Sequence, residues 1–424
     1  MLAALFARVV PVRPGESVPT LLATAYGFAI LFAYYLLRPV RDEIGAADRA
    51  NLQVLWTVVF FVMLLAVPLY SAAVARFSRA VFIPLANRFF AANLIAFYAA
   101  LVLLPASARP WIDRVFYVWI SVFALFVVAV FWGFIVDVFS GEQGKRLFGF
   151  ITVGASLGGI AGSASTATLA AHAPVFLLLL FAVLPLEAAA QLARAIDRRA
   201  EAAPAVLRRE PAARVGGSAW SGIAPVFRSP QLRHIALWIV LMTFASTILY
   251  FVQSHLVGEA IADRALRRVF LARIDLAVNI VTILTQALLT ARILRRFGLG
   301  ATLALLPVVA VLAFVALGSA PHSLALSTLL VARVLYDSSR HALAKPAREV
   351  LFTQLSREQR YKSKAFIDAA VYRGGDLLSG WIYAGFTALG LTAAAIALAA
   401  APVAVLWALL GLRLGRRGER EAKH

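Results

Sequence analysis

The apolar residues of this chain come in about a dozen continuous blocks of about twenty. A hydrocarbon layer about 30 Å thick takes about 20 helical residues to cross. A backbone inside lipid must satisfy its own hydrogen bonds, which admits only helices and closed barrels. Barrel strands alternate apolar and polar positions, and these blocks do not. The pattern predicts an all-α integral membrane protein. Twelve transmembrane helices are expected, over 19–37, 52–75, 81–104, 114–138, 147–170, 174–195, 233–256, 269–291, 299–319, 323–340, 365–388 and 391–412.

Charge has to be read against that frame. The chain is 62% hydrophobic yet carries a formal net charge of +20. A soluble chain so basic would suggest nucleic-acid binding. Here Lys and Arg gather in alternate loops, as the positive-inside rule expects. That distribution predicts cytoplasmic termini, and the expected setting is a bacterial inner (plasma) membrane. Arg8 and Arg13 interrupt any early apolar run, which argues against a cleaved signal peptide. With no cysteine there is no disulfide framework.

Residues 197–232 are rich in Ala, Pro, Gly and Arg and lack apolar periodicity. They read as a cytoplasmic linker between an N-terminal six-helix bundle, 1–196, and a C-terminal one, 233–424. The halves share faint similarities. Ala47-Asp48-Arg49-Ala50 recurs as Ala262-Asp263-Arg264-Ala265, and Ser140-Gly141-Glu142-Gln143 is echoed by Ser356-Arg357-Glu358-Gln359. The turn Ala75-Arg76-Phe77 has a counterpart in Arg295-Arg296-Phe297. All three fall in chain order at nearly one spacing, which suggests two parallel repeats. This resembles the plan of the major facilitator superfamily, in which substrate binds near mid-membrane between the halves.

Ionisable groups in apolar segments are costly and are candidate functional sites. One cluster, Arg38, Arg41, Asp42 and Glu43, closes the first predicted helix behind Tyr34 and Tyr35. It fits either an interfacial cap or a pair of guanidinium forks for an anion. A second cluster on helix 10 sets Arg333, Asp337, Arg340 and His341 along one face. Arg333 and Asp337 could simply neutralise each other at i,i+4. On helix 11, Asp368, Tyr372 and Asp376 recur every four residues around Arg373, an arrangement suited to gating or proton coupling. Arg88, Glu187, Arg273 and Asp275 read as lone or nearly lone charges. Helix 5 carries Gly154, Gly158 and Gly162 at intervals of four, a spacing for close helix approach. Helix 11 has Gly374, Gly375, Ser379 and Gly380.

No soluble catalytic pattern is present. Gly141-Glu142-Gln143-Gly144-Lys145-Arg146 lacks the spacing and preceding strand of a phosphate loop. The six His show no metal-ligand spacing. No cofactor and no enzymatic activity are expected, and no ATP-hydrolysing motor is encoded.

Several segments resemble the ATP/ADP translocases of plastids and obligate intracellular bacteria. Leu37-Arg38-Pro39-Val40-Arg41-Asp42 is similar to that family's Leu-Arg-Asp-Thr-Lys-Asp element. Phe131-Trp132-Gly133-Phe134, with Glu142 through Phe148 after it, resembles its Phe-Trp-Gly-Phe and Glu-Ala-Lys-Arg-Phe elements. Lys345-Pro346-Ala347-Arg348-Glu349 resembles Asp-Pro-Thr-Lys-Glu, and Lys362 through Asp368 resembles Lys-Gly-Lys-Ala-Ala-Ile-Asp. Arg373 falls on the arginine of Ser-Arg-Leu-Gly-Lys. The resemblance implies a nucleotide exchanger, with Arg41 in place of a helix-1 lysine and Glu142 and Lys145 on matching positions. Two positions depart from it. Phe251 stands near the family's helix-7 glutamate, and Asp376 replaces its closing lysine, a reversal of charge.

The expectation is therefore a secondary active transporter that exchanges a nucleotide or other phosphorylated anion by alternating access. Arg38, Arg41, Arg88, Arg333 and Arg373 are the expected substrate contacts. Asp42, Glu142, Lys145, Asp337, Asp368 and Asp376 are the expected gating or proton-coupling groups. The alternatives are a proton-coupled major facilitator exporter of a small hydrophobic or cationic compound, and a non-transporting membrane scaffold. Expected partners are a small anionic solute and membrane lipid, with no nucleic acid, for a chain acting as a monomer.

Overall fold

A computed structural model describes residues 13, 15–139, 141–201, 223–353, 363 and 366–421, and among them there is no strand. The long helices are α1 (Ser17–Ala47), α2 (Leu52–Arg76), α3 (Arg79–Leu103), α4 (Arg109–Val138), α5 (Gly141–Leu169) and α6 (Val175–Glu201). A short α7 (Ile223–Arg228) precedes α8 (Pro230–Ala260), α9 (Arg264–Thr285) and α10 (Ala291–Ser319). The chain ends with α11 (Ala325–Ser339), α12 (Lys345–Thr353), α13 (Tyr372–Ala388) and α14 (Ala393–Glu421). Nine spans among the described residues are long and apolar enough to cross a membrane. One of these, Arg264–Ser319, is twice the usual length. It divides at Gly298, whose φ of 77° leaves the helix and suits a residue without a Cβ. This break lies where the sequence places the boundary between helices 8 and 9.

Among the described residues, three π turns interrupt the helices, at Gln286–Thr290, Arg340–Ala344 and Ile367–Val371. The first joins α9 to α10, the second joins α11 to α12, and the third leads into α13. Extra residues of this kind are often found where a helix carries a function. They lengthen the local period, so the expected row of Asp368, Tyr372 and Asp376 is interrupted by the turn that holds Asp368.

Several helices run past their predicted ends, among them α8 to Ala260 and α14 to Glu421. Hydropathy stops the first at residue 37, but α1 continues through Pro39 to Ala47. Proline removes one helical donor, and polar neighbours can make this tolerable within a membrane protein. Beyond helix 10, expected to end at residue 340, the chain stays helical as far as Thr353, with Pro346 at the second position of α12. α6 reaches Glu201, and the linker residues 202–222 lie outside the described residues.

The chain forms two compact units. Unit 1 comprises Met1–Ile44, Phe61–Ala213 and Asp263–Leu276; unit 2 comprises Gly45–Phe60, Arg214–Ala262 and Ala277–His424. Each unit thus includes a short segment from the other half of the sequence.

In unit 1, α1 and α5 run parallel in one register. A Cβ on Gly154, Gly158 or Gly162 would come closer than 3.0 Å to the carbonyl oxygen of Thr24, Phe28 or Phe32 respectively. The seam continues to Thr166, whose hydroxyl donates to the Leu36 carbonyl at 2.8 Å, 130 residues away. At its other end Arg146 donates twice to Glu16, at 2.9 and 3.0 Å and with the same separation. Burial alone would raise the Glu16 carboxyl. Hydrogen bonds from Arg146, the Arg13 amide and Gln143 outweigh it and hold the group below the usual carboxylate range.

In unit 2, α8 and α13 form the comparable parallel pair. There Gly375 faces the Thr243 side chain, Gly380 faces the Phe251 ring, and Gly374 faces open space. Close backbone contacts of this unit lie elsewhere, as between α10 and α14, where Gly415 lies against Gly300.

Candidate functional site

The charged segment of α1 is buried rather than capping. Arg38, Asp42 and Glu43 are 9%, 3% and 1% exposed, which excludes the solvated interfacial cap as their setting. The Arg38 guanidinium reaches Asp275 of α9 at 3.1 Å and Asp42 at 3.8 Å. Arg41 donates from two nitrogens to the same Asp42 oxygen, at 2.9 and 2.7 Å. The next residue, Glu43, accepts from Arg264 at 2.6 and 3.0 Å. Arg264 also donates to Asp113 of α4 at 2.8 Å, and Asp113 accepts from Arg109 at 3.0 Å. Arg268 stands 3.7 Å from Glu43. The network therefore ties α1 to α4 and to the first turns of α9. Buried ions survive only when paired, and the pairs Arg38–Asp275, Arg264–Glu43, Arg264–Asp113 and Arg268–Glu43 join different helices.

Arg88 does not join that cluster. It lies on α3 and makes a two-pronged pair with Glu187 of α6, at 2.9 and 2.6 Å. Both side chains are about two-fifths exposed. The two charges read as lone in the sequence are thus each other's partners, 99 residues apart. Arg273, the neighbour of Asp275, is exposed.

Unit 2 holds the second constellation. Arg333 and Asp337 of α11 are 4% and 2% exposed and pair at 2.7 Å. Arg340 stands 3.4 Å from the same carboxylate and donates to the Ser246 hydroxyl of α8 at 2.8 Å. The adjacent Thr247 donates to Asp376 of α13 at 3.4 Å, and Arg373 lies 3.7 Å from Asp376. Ser246 and Thr247 therefore bring the charged faces of α11 and α13 to one stretch of α8. Among the described side chains here, three guanidiniums (Arg333, Arg340 and Arg373) meet two carboxylates (Asp337 and Asp376). Arginines gathered in this way suit an anion, and the two hydroxyls could serve its oxygens. Arg340 and Ser246 complete this site. The i,i+3 spacing of Arg340 from Asp337 was visible in the sequence, whereas Ser246 carried no signal there.

The side chains of Glu142, Lys145 and Asp368 lie outside the described residues. At Phe251, near the position of the translocases' helix-7 glutamate, the structure has dry packing. Phe251 is 1% exposed, with ring centroids 5.5 Å from Trp56 and 5.1 Å from Tyr383.

Comparison with solved structures identifies the architecture. A bacterial homolog of the human lysosomal transporter Spinster, inward-facing and unoccupied, superposes with a TM-score of 0.60 at 13% identity, covering 97% of this chain and 99% of that one. The xylose transporter XylE from E. coli gives 0.62 at 14% identity, covering 94% and 96%. The nucleoside transporter NupG gives 0.59 at 12%, covering 95% and 99%. The chain has the major facilitator fold. No family model and no curated protein matches it. At these identities the likeness carries the fold of an integral membrane protein and not the ATP/ADP translocase family.

Proposed function

We propose that this protein is a secondary active transporter that exchanges an organic anion, a nucleotide or other phosphorylated metabolite, by alternating access between two six-helix halves, 1–196 and 233–424. The observation that carries this reading is the gathering of Arg333, Arg340 and Arg373 about Ser246 and Thr247. Guanidinium groups present paired donors that match phosphate oxygens and keep their charge at any physiological pH. The pairs Arg333–Asp337 and Arg373–Asp376 lie within single helices. An anion can thus take donors from them without separating one helix from another. Three of the fold's neighbours are named as nucleoside, peptide and xylose transporters, which supports transport and leaves the solute open. The motif resemblance to the ATP/ADP translocases supports a phosphorylated solute. The aromatic packing at Phe251 and the acid at Asp376 point away from an unaltered ATP/ADP site. The proposed setting is a bacterial inner membrane with both termini cytoplasmic.

The test is thermal stabilisation of the detergent-purified protein against nucleotides, sugar phosphates and inorganic phosphate. A ligand specific to the folded form adds about 2.7 kcal/mol at a hundredfold excess over its Kd. A phosphorylated compound should raise the melting temperature, and Arg340→Gln should weaken its binding about tenfold. Failure of every anion to stabilise wild type at saturation would exclude the anion site.

Asp376 favours one other reading. Its described contacts are the 3.4 Å and 3.7 Å approaches of Thr247 and Arg373, an arrangement a proton carrier could use. A proton-coupled exporter would move solute on a pH gradient alone, and Asp376→Asn would abolish that movement.

A further inference from the structure

We propose that unit 1 carries a separate site for an anionic phospholipid, in the cleft where the ends of α1, α3, α4 and α6 meet the first residue of α9. Phe97, Leu101, Val175 and Leu179 give this cleft an apolar wall, and Arg109 and Arg264 stand beside it. Both arginine side chains are 36% exposed, although each is anchored to an acid. Arg109 uses only Nε, toward Asp113, and Arg264 uses Nε and Nη2, toward Glu43 and Asp113. Among the described residues, Nη1 and Nη2 of Arg109 and Nη1 of Arg264 have no acceptor. Two arginines with oriented, unused donors suit a phosphate.

Two further observations favour a lipid over a free anion. The cleft sits at helix ends: Val175 begins α6, Arg264 begins α9, and Phe97 and Leu101 lie in the last two turns of α3. In the adjoining first turn of α4, Trp111 is 67% exposed, and Arg114 stacks 5.1 Å from its ring centroid. An exposed tryptophan at a helix end marks headgroup depth. A ligand there presents its phosphate to the arginines and its acyl chain to the apolar wall. Charge selects the headgroup. Arg109 and Arg264 keep unused donors here while Glu43 and Asp113 are already paired, which favours an anionic headgroup over a zwitterionic one.

The full-length protein in detergent would be examined by native mass spectrometry with phosphatidylglycerol, phosphatidylcholine or inorganic phosphate. Wild type should retain one phosphatidylglycerol in preference to phosphatidylcholine. Arg109→Ala should weaken that retention about tenfold while the protein stays folded, because Glu43 keeps Arg264. Leu101→Trp, which fills the apolar end, should also expel the lipid and leave any binding of inorganic phosphate unchanged. Equal retention of phosphatidylglycerol by wild type and both variants would overturn the site. Displacement of the lipid by inorganic phosphate at comparable concentration would overturn the lipid as its occupant. The measurement reads no transport, so its outcome stands apart from that of the solute site.

Discussion

The parallel pairs α1–α5 and α8–α13 meet their neighbours in different ways. In unit 1 the glycines of α5 bring its backbone against the carbonyls of α1 at three successive positions, 154, 158 and 162. In unit 2 the glycines of α13 face a threonine side chain, a phenylalanine ring and open space. Backbone cannot move aside for an added atom, whereas a side chain can change rotamer. The ion pairs follow the same division. Those of unit 1 largely link different helices, as in Arg38–Asp275, Arg264–Glu43, Arg88–Glu187 and Arg146–Glu16. Those described in unit 2 sit within one stretch of chain, as in Arg333–Asp337, Arg340–Asp337 and Arg373–Asp376. Unit 2 also holds all three described π turns, two of them interlocked: Thr290 donates to the Ala342 carbonyl at 2.9 Å. One unit is riveted, and the other keeps its charges on helices that can adjust.

The sharpest way to break this contrast is Gly158→Leu. Its Cβ would overlap the Phe28 carbonyl, and the rest of the side chain would force α1 and α5 apart. Overpacking that side chains can absorb costs about 1–3 kcal/mol; here the obstacle is backbone and no rotamer relieves it, so the expected cost is above about 5 kcal/mol. The expected result is loss of monodisperse protein on size-exclusion chromatography in detergent. Normal yield and melting temperature would show that the seam is not rigid.

Next in size is Asp275→Ala. It leaves Arg38 buried with Asp42 at 3.8 Å as its nearest described acid. Removing one partner of a buried pair costs about 3–5 kcal/mol, although Asp42 should recover part of that. The double variant Arg38→Met, Asp275→Leu should regain most of the loss, because an apolar pair of similar volume needs no desolvated charge. Thermal melts of the three proteins check this. Equal melting of the single and double variants would show that the pair contributes nothing across the helices.

These two cases show what one sequence can reveal. The Gly154, Gly158, Gly162 spacing announced a tight seam, because small residues four apart share a helix face. It could not name α1 as the partner. Arg333–Asp337 was legible as an i,i+4 pair, whereas Arg38–Asp275 and Arg88–Glu187 join positions far apart in the chain, and no local pattern links them. The same gap explains the misplaced end of the first helix. Hydropathy stops at Arg38, yet the helix continues because a distant acid neutralises that charge. The π turns were hidden because a 3.6-residue period is assumed in reading a helix face. The Gly298 break was legible, since polar residues and glycine interrupt the apolar run there.

The smallest effects sharpen the contrast from the side of unit 2. Gly375→Ala would place its Cβ against the Thr243 hydroxyl, the end of a side chain that can turn away. That hydroxyl donates to the Val240 carbonyl at 2.8 Å, so turning it loses one hydrogen bond, worth about 0.5–1.5 kcal/mol. Adding Thr243→Ala removes the obstacle, and the pair should melt within a degree or two of Thr243→Ala alone. Gly374→Ala meets nothing within 4 Å and gains helix propensity of up to about 1 kcal/mol. It should leave the melting temperature unchanged or slightly raised. Adjacent glycines on one helix would then differ in sign. A loss at Gly374 as large as that at Gly375 would mean that α13 is packed as closely as α5, and the contrast between the two units would fail at its adjustable end.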